Sequence, residues 1–179
     1  MISAARQLFR RFRRDRRGVS AVEFALIAPF MILLYLGGVE VSLALSVDRK
    51  ITSTASAIAD LVAQDDVVSD GEMADILNAG NVIVAPFDST PLEIRVTSVL
   101  MRGDGQVEVQ WSDARGMTPY SEGASVNIPD GVLIPNRSVI MVEVDYRYET
   151  LFNQLGVSQL DISEVFYLRP RRSIMVARI

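Results

Sequence analysis

Apolar positions follow three different spacings along this chain, and each spacing names an element. Residues 24–45 are apolar almost without a break, with only Tyr35 and Glu40 ionisable. As a helix rising 1.5 Å per residue, this stretch is about 33 Å long, which matches the hydrocarbon thickness of a bilayer. It reads as a membrane span. Pro29, Gly37 and Gly38 would weaken a helix in water but are tolerated in lipid, where backbone groups find no better partner than the helix itself.

Beyond the span the spacing becomes helical. Ile51, Ala55, Ile58 and Val62 recur at i, i+4, i+7 and i+11, so the same helix is expected to run on as an amphipathic rod to about Gln64. The acid-rich residues 65–71 break it. Ser69 with Glu72 three positions later is a capping-box pattern, and Met73, Ile76 and Leu77 follow on one face, predicting a second, short helix to about Ala79.

After Gly80 the period falls to two. Leu92, Ile94 and Val96 alternate with polar residues, a turn follows at residues 102–105, and Val107, Val109 and Trp111 alternate in their turn, which together predict an antiparallel hairpin. Residues 116–137, punctuated by Gly116, Pro119, Gly123, Pro129, Gly131 and Pro135, suit a long irregular surface excursion. A third strand is expected over residues 138–149, a turn or helical loop over 151–156, and a fourth strand over 162–169. Residues 173–179 either prolong that strand beyond Pro170 or form a separate edge. The expected fold class is therefore α+β, a long N-terminal helix packed on a small antiparallel sheet of about four strands. Its amphipathic half would cover the sheet's apolar face.

Charge divides the chain at Gly18. Residues 1–17 hold seven arginines, Arg6, Arg10, Arg11, Arg13, Arg14, Arg16 and Arg17, against Asp15 alone, while acids outnumber bases in the rest. Arginines before an apolar span orient it with the N-terminus in the cytoplasm and the body outside. This divides the chain into a basic cytoplasmic leader at 1–18, the long helix at 19–64 and an extracytoplasmic domain at 65–179. An acidic body with Lys50 as its one lysine argues against nucleic acid as a partner. A signal peptide cut near residue 46, where Ala44-Leu45-Ser46 offers small residues at a readable spacing, competes with the anchor, but the apolar run is longer than a signal core and contains Glu40 and an early proline.

The chain has neither cysteine nor histidine, which removes disulfides, thiolate nucleophiles, thiolate or imidazole metal sites and histidine-based triads. No phosphate loop or dinucleotide fingerprint is present. A carboxylate-only hydrolase would need an isolated acid pair, and the acids here alternate as strand-exposed positions. No enzyme activity, cofactor or small-molecule substrate is expected. Asp65, Asp66, Asp70 and Glu72 lack the spacing of a calcium loop and read as a solvated loop. Asn136-Arg137-Ser138 is a chance sequon, and Arg169, Arg171 and Arg172 form a solvated edge.

Two acids sit in or near the span. Glu23 has two readings that the residues leave open: an acid at the helix entrance, favoured by the positive helix N-terminus, or the partner of a free amine created if the chain is cut after Gly18. Glycine at that point leaves the backbone open to a peptidase. Glu40, about 25 Å further along the helix, reads either as an interfacial acid reaching water or as a contact to another subunit. Gly37 and Gly38 allow close helix approach.

The string Gly18-Val19-Ser20-Ala21-Val22-Glu23-Phe24-Ala25-Leu26-Ile27-Ala28-Pro29 resembles the TadE-like proteins of the tight-adherence (Flp) pilus system, and Gly18 followed by Glu23 resembles the leader junction of type IV pilins and pseudopilins. Gly37-Gly38-Val39-Glu40 is similar to the family's G-x-x-E element, and the resemblance covers about residues 16–60. Tyr146-Arg147-Tyr148-Glu149 and Leu168-Arg169-Pro170-Arg171 are loosely similar to its C-terminal part. Val19 departs from the aromatic first residue of many type IV pilins and favours the tight-adherence branch. The resemblance implies a minor pilin-like subunit, made as a precursor and cleaved between Gly18 and Val19 by prepilin peptidase. Glu23 and Phe24 would serve assembly, and Pro29, Gly37, Gly38 and Glu40 would make contacts within the membrane. The implied partners are the peptidase, other pilin-like subunits, the inner-membrane assembly machinery and the lipid bilayer. The alternative is an uncleaved single-pass protein of the inner membrane whose periplasmic domain binds a ligand or partner.

Overall fold

The computed structural model describes residues 18–150 and 159–179. The arginines of the leader and the turn expected at 151–156 lie outside the described residues. Helix α1 spans Val19–Gln64 without interruption, with Pro29 inside it. Of the described residues, 18–42 belong to one unit and those from Leu43 to Ile179 to another.

In the second unit a short strand β1, Val67–Val68, leads into helix α2, Asp70–Val84. Four antiparallel strands follow: β2 (Leu92–Met101), β3 (Val107–Arg115), β4 (Arg137–Glu149) and β5 (Gln159–Leu168), in the order β3-β2-β4-β5. A final strand β6, Ala177–Arg178, pairs in parallel with β1.

The stripe read from the sequence is the side of α1 that packs. Val47, Ile51, Ala55, Ile58, Ala59 and Val62 are fully buried in one cluster with Leu92, Ile94, Val96, Ile140, Val142, Val144 and Tyr146. Burying each of the larger side chains stabilises by about 1.5–3 kcal/mol, enough to hold the rod on the sheet. Ser69 caps α2 as its pattern predicts: its Oγ accepts from the Glu72 amide while Glu72 Oε2 accepts from the Ser69 amide at 2.8 Å.

Four expectations change. First, α2 runs past Ala79 to Val84. Gly80, which reads as a stop signal, is instead a point of close approach: a Cβ there would lie 2.6 Å from Ile94 Cδ1 and 3.5 Å from Ile58 Cδ1. Pro86 ends the helix by disfavouring helical geometry at the residue before it. Second, Trp111 does not share a face with Val107 and Val109. Ser98 pairs with Trp111 and Val99 with Val109, so Gln110 is an extra residue in a bulge and flips everything after it. Trp111 joins the helix-covered core, while Val107 packs on the opposite face of the sheet.

Third, residues 116–137 are irregular but cover that opposite face. Tyr120, Val126, Ile128, Val132 and Leu133 pack there with Val99, Val139 and Met141, so the sheet is buried on both sides. Fourth, residues 169–179 leave the sheet rather than prolonging β5. The Arg171 amide donates to Ala63 O, Ala177 N to Asp66 O and Ile179 N to Val68 O, and the buried Val176 accepts from Trp111 Nε1 at 2.8 Å. The arginines expected to form a solvated edge partly work as ties: Arg169 Nη2 donates to Val132 O at 3.0 Å, and Arg171 pairs with Asp60 at the end of α1.

Candidate functional site

The first unit concentrates the residues singled out above. Gly18 stands at the start of α1 with open space where a Cβ would point, and Val19 is half exposed. Glu23 is exposed one and a half turns on, beside Phe24 at 71% exposure. The apolar side chains that follow are bare within the chain: Leu26, Phe30, Leu34 and Tyr35 are all more than 60% exposed. No part of the most apolar 18-residue window, with mean hydropathy 2.1, is buried, and the helix is long and apolar enough to cross a membrane. Bare apolar surface on this scale needs lipid or other helices around it.

Pro29 and Gly38 are exposed and Gly37 is half-buried, with open space beside both glycines. Glu40 differs from its neighbours in being buried, at 9% exposure. The structure does not bring Glu23 and Glu40 together, because they are seventeen residues apart on one unbroken helix.

The second unit carries its charges in pairs that the sequence did not announce. Arg95 and Glu143 lie opposite each other on β2 and β4, joined by two hydrogen bonds, Nε to Oε2 at 2.6 Å and Nη2 to Oε1 at 2.7 Å. The Arg95 guanidinium also lies 3.9 Å over the Tyr120 ring and donates to Thr118 O at 3.0 Å. One cation therefore ties the start of the 116–137 excursion to the sheet. Its bond to Glu143 raises the Arg95 pKa, and burial raises that of the Tyr120 phenol.

Arg178 makes the second knot, holding Asp113 at 2.8 Å through Nε, Asp70 at 2.8 Å through Nη2, and Val68 O. Two of the acids in the 65–72 loop are thereby occupied, Asp70 with Arg178 and Glu72 in the cap. Arg115 at the end of β3 is the contrast: its Nη2 is buried with no hydrogen-bond partner among the described residues, and burial lowers its pKa.

One open groove of about 300 Å³ is lined by Glu93, Asp145, Arg147, Asp161 and Ser163. Arg147 and Asp161 approach only to 3.8 Å and both are well exposed. Among the described residues no three acids converge as metal ligands, and the arrangement offers solvated charges rather than a preorganised acid–base pair.

Sequence reasoning found the apolar helix and its acids because periodicity and isolated charge are local. It missed Arg95 with Glu143 and Arg178 with Asp113, which lie 48 and 65 positions apart. Only the strand register, and for Arg178 the path of the C-terminal segment, brings them together.

No curated protein and no solved structure matches this chain. Residues 18–60 match the family model of TadE-like proteins. That match begins at Gly18, takes in Glu23, Pro29, Gly37, Gly38 and Glu40, and continues into the sheet-packed stripe, so the similarity to TadE-like proteins lies along α1.

Proposed function

We propose that this chain acts in the tight-adherence (Flp) pilus system as a minor pilin-like subunit. It is made as a precursor with the arginine leader in the cytoplasm, and prepilin peptidase cuts it between Gly18 and Val19. It is held by α1 in the inner membrane, with the α+β body in the periplasm. The observation that carries this reading is the junction itself. The TadE-like match starts at Gly18, where the backbone is open and a bare apolar helix with an exposed Glu23 begins.

Cleavage there gives Val19 a free amine. Glu23 is placed to pair with such an amine, its own or that of a neighbouring subunit, as an acid entering lipid needs a partner. Pro29, Gly37, Gly38 and Glu40 supply further contacts within the membrane to other pilin-like subunits and the assembly machinery. Function then rests on packing and on protein contacts of the body, with no catalytic step, cofactor or nucleic acid.

Mass spectrometry of the membrane-extracted protein from cells with active prepilin peptidase tests this. A mature chain beginning at Val19 is expected. An intact Met1, or a start at residue 47, overturns the processing.

A further inference from the structure

The sheet has two unlike edges. Along β3, Val109 is occupied by the excursion, accepting from Gly123 N at 2.8 Å and donating to Ala124 O at 2.9 Å. The rest of that strand, residues 111–115, makes no outward backbone bond among the described residues, and neither does any residue of β5. Long open edges are templates for strand pairing unless they are blunted. Apart from Asp113, which is held by Arg178, the charges along these two edges are opposite in sign. Arg115 Nη2 finds no hydrogen-bond partner among the described residues, and neither Arg115 nor Glu164 on β5 takes part in the ion pairs found there.

We propose that copies of this chain associate head to tail through these edges, residues 164–168 of one copy pairing antiparallel with residues 111–115 of the next. Direction supports this. Three antiparallel steps separate β3 from β5, so the two run oppositely, and a copy shifted sideways sets its β3 antiparallel to the first copy's β5. The α1 helices of the two copies then point the same way, as chains anchored in one membrane must. A two-fold β5-to-β5 antiparallel pair would instead reverse α1 between copies.

Facing side chains fix the register, because directly opposite residues must lie on the same face. Glu164 and Arg115 both lie on the helix-covered face, being paired with Val144 and one position beyond Ala114. Val165 and Ala114 both lie on the other, opposite Glu143 and Arg95. Setting Glu164 against Arg115 therefore places Val165 against Ala114, Tyr167 against Ser112 and Leu168 against Trp111. Val165, 45% exposed at present, gains an apolar neighbour. The contact is heterologous and does not close on itself, so it builds a row rather than a dimer. It is independent of cleavage after Gly18 and is tested without a pilus.

The absence of cysteine makes the test direct. Two double variants, Val165→Cys with Ala114→Cys and Glu164→Cys with Arg115→Cys, are placed as full-length protein in phospholipid vesicles and oxidised. Within one chain the paired positions are three strands, roughly 14 Å, apart, beyond the reach of a disulfide. Neighbouring pairs alternate between hydrogen-bonded and non-hydrogen-bonded sites, so the two variants sample both geometries. The expected result is a ladder of dimers, trimers and higher species on a non-reducing gel from at least one double variant, absent from every single-cysteine variant.

In the Val165→Cys/Ala114→Cys background, Glu164→Arg should lower the cross-linked fraction by up to about fivefold, and adding Arg115→Glu should restore it. No ladder from either double variant, or dimers from Val165→Cys alone, overturns the proposal. Indifference to the charge reversals overturns the register.

Discussion

Gly80 offers a quantitative test of how tightly α2, α1 and the sheet meet. Its absent Cβ would stand 2.6 Å from Ile94 Cδ1, with Ile58 Cδ1 and Leu92 Cδ2 each at 3.5 Å. Ordinary carbon contacts are about 3.5–4.0 Å, so Ile94 must retreat by roughly 1 Å. Ile94 and Ile58 are fully buried and Leu92 nearly so, so Cδ1 can retreat only by repacking within a close-packed core. Overpacking of this kind costs about 1–3 kcal/mol. The helix gains about 1 kcal/mol when glycine becomes alanine, leaving Gly80→Ala destabilised by about 1 kcal/mol overall.

Ile94→Val removes the clashing Cδ1 itself. Alone it should cost about 0.5–1.5 kcal/mol as a small cavity; combined with Gly80→Ala, the new methyl fills that space. The double variant should therefore be more stable than the sum of the single effects by about 1 kcal/mol. Chemical denaturation in detergent micelles, followed by the fluorescence of the single tryptophan, Trp111, which packs against the same core, measures all four corners of the cycle. A Gly80→Ala chain as stable as the wild type, or additive single effects, would refute the close approach as the reason for glycine.

Glu143→Ala leaves Arg95, with its side chain 17% exposed, without its carboxylate, and should cost about 1–2 kcal/mol after allowing for solvent screening. Amide exchange should accelerate first around residues 118–124, and uniform acceleration would refute the latch. Stability should also fall at both pH extremes. Hydrogen bonds from the Ser69 amide to Glu72, from Arg102 to Glu108 and from the Thr90 amide to Asp88 hold those carboxyl pKa values down. Their contribution is present above about pH 4 and is lost as pH falls through the depressed values. Burial raises the phenol pKa values of Tyr120, Tyr146 and Tyr167, so their contribution is whole below about pH 10 and is lost as pH rises through the raised values. Denaturation midpoints that stay flat from pH 3 to 11 would contradict both limbs.

Gly80 also marks the limit of local reading. A glycine after Ala79 is a fair stop signal when only the neighbours are known. The reason it stands inside α2 is Ile94, on a strand that begins well beyond the helix. Trp111 gives the same lesson for strands: period-two alternation places it with Val109, and one extra residue at Gln110 reverses its face. The arginines Arg169 and Arg171 looked like a solvated edge because the atoms they reach, Val132 O and Asp60, are remote in sequence.

What the amino-acid sequence determined by itself was everything that depends on short-range spacing. That includes the apolar run, the i, i+4, i+7 stripe from Ile51, the Ser69–Glu72 cap, the alternating strands, and the string from Gly18 to Pro29 that carries the TadE-like character. Helix and strand periodicity are properties of a few consecutive residues, so they can be read without knowing the neighbours in space. Tertiary structure alone decided which face Trp111 takes and what covers the second face of the sheet. It also decided where the C-terminal segment goes, and that Arg95 meets Glu143 while Arg115 Nη2 finds no hydrogen-bond partner among the described residues. Those outcomes depend on strand register and chain path, which bring together residues tens of positions apart, and no spacing along the chain encodes such a meeting.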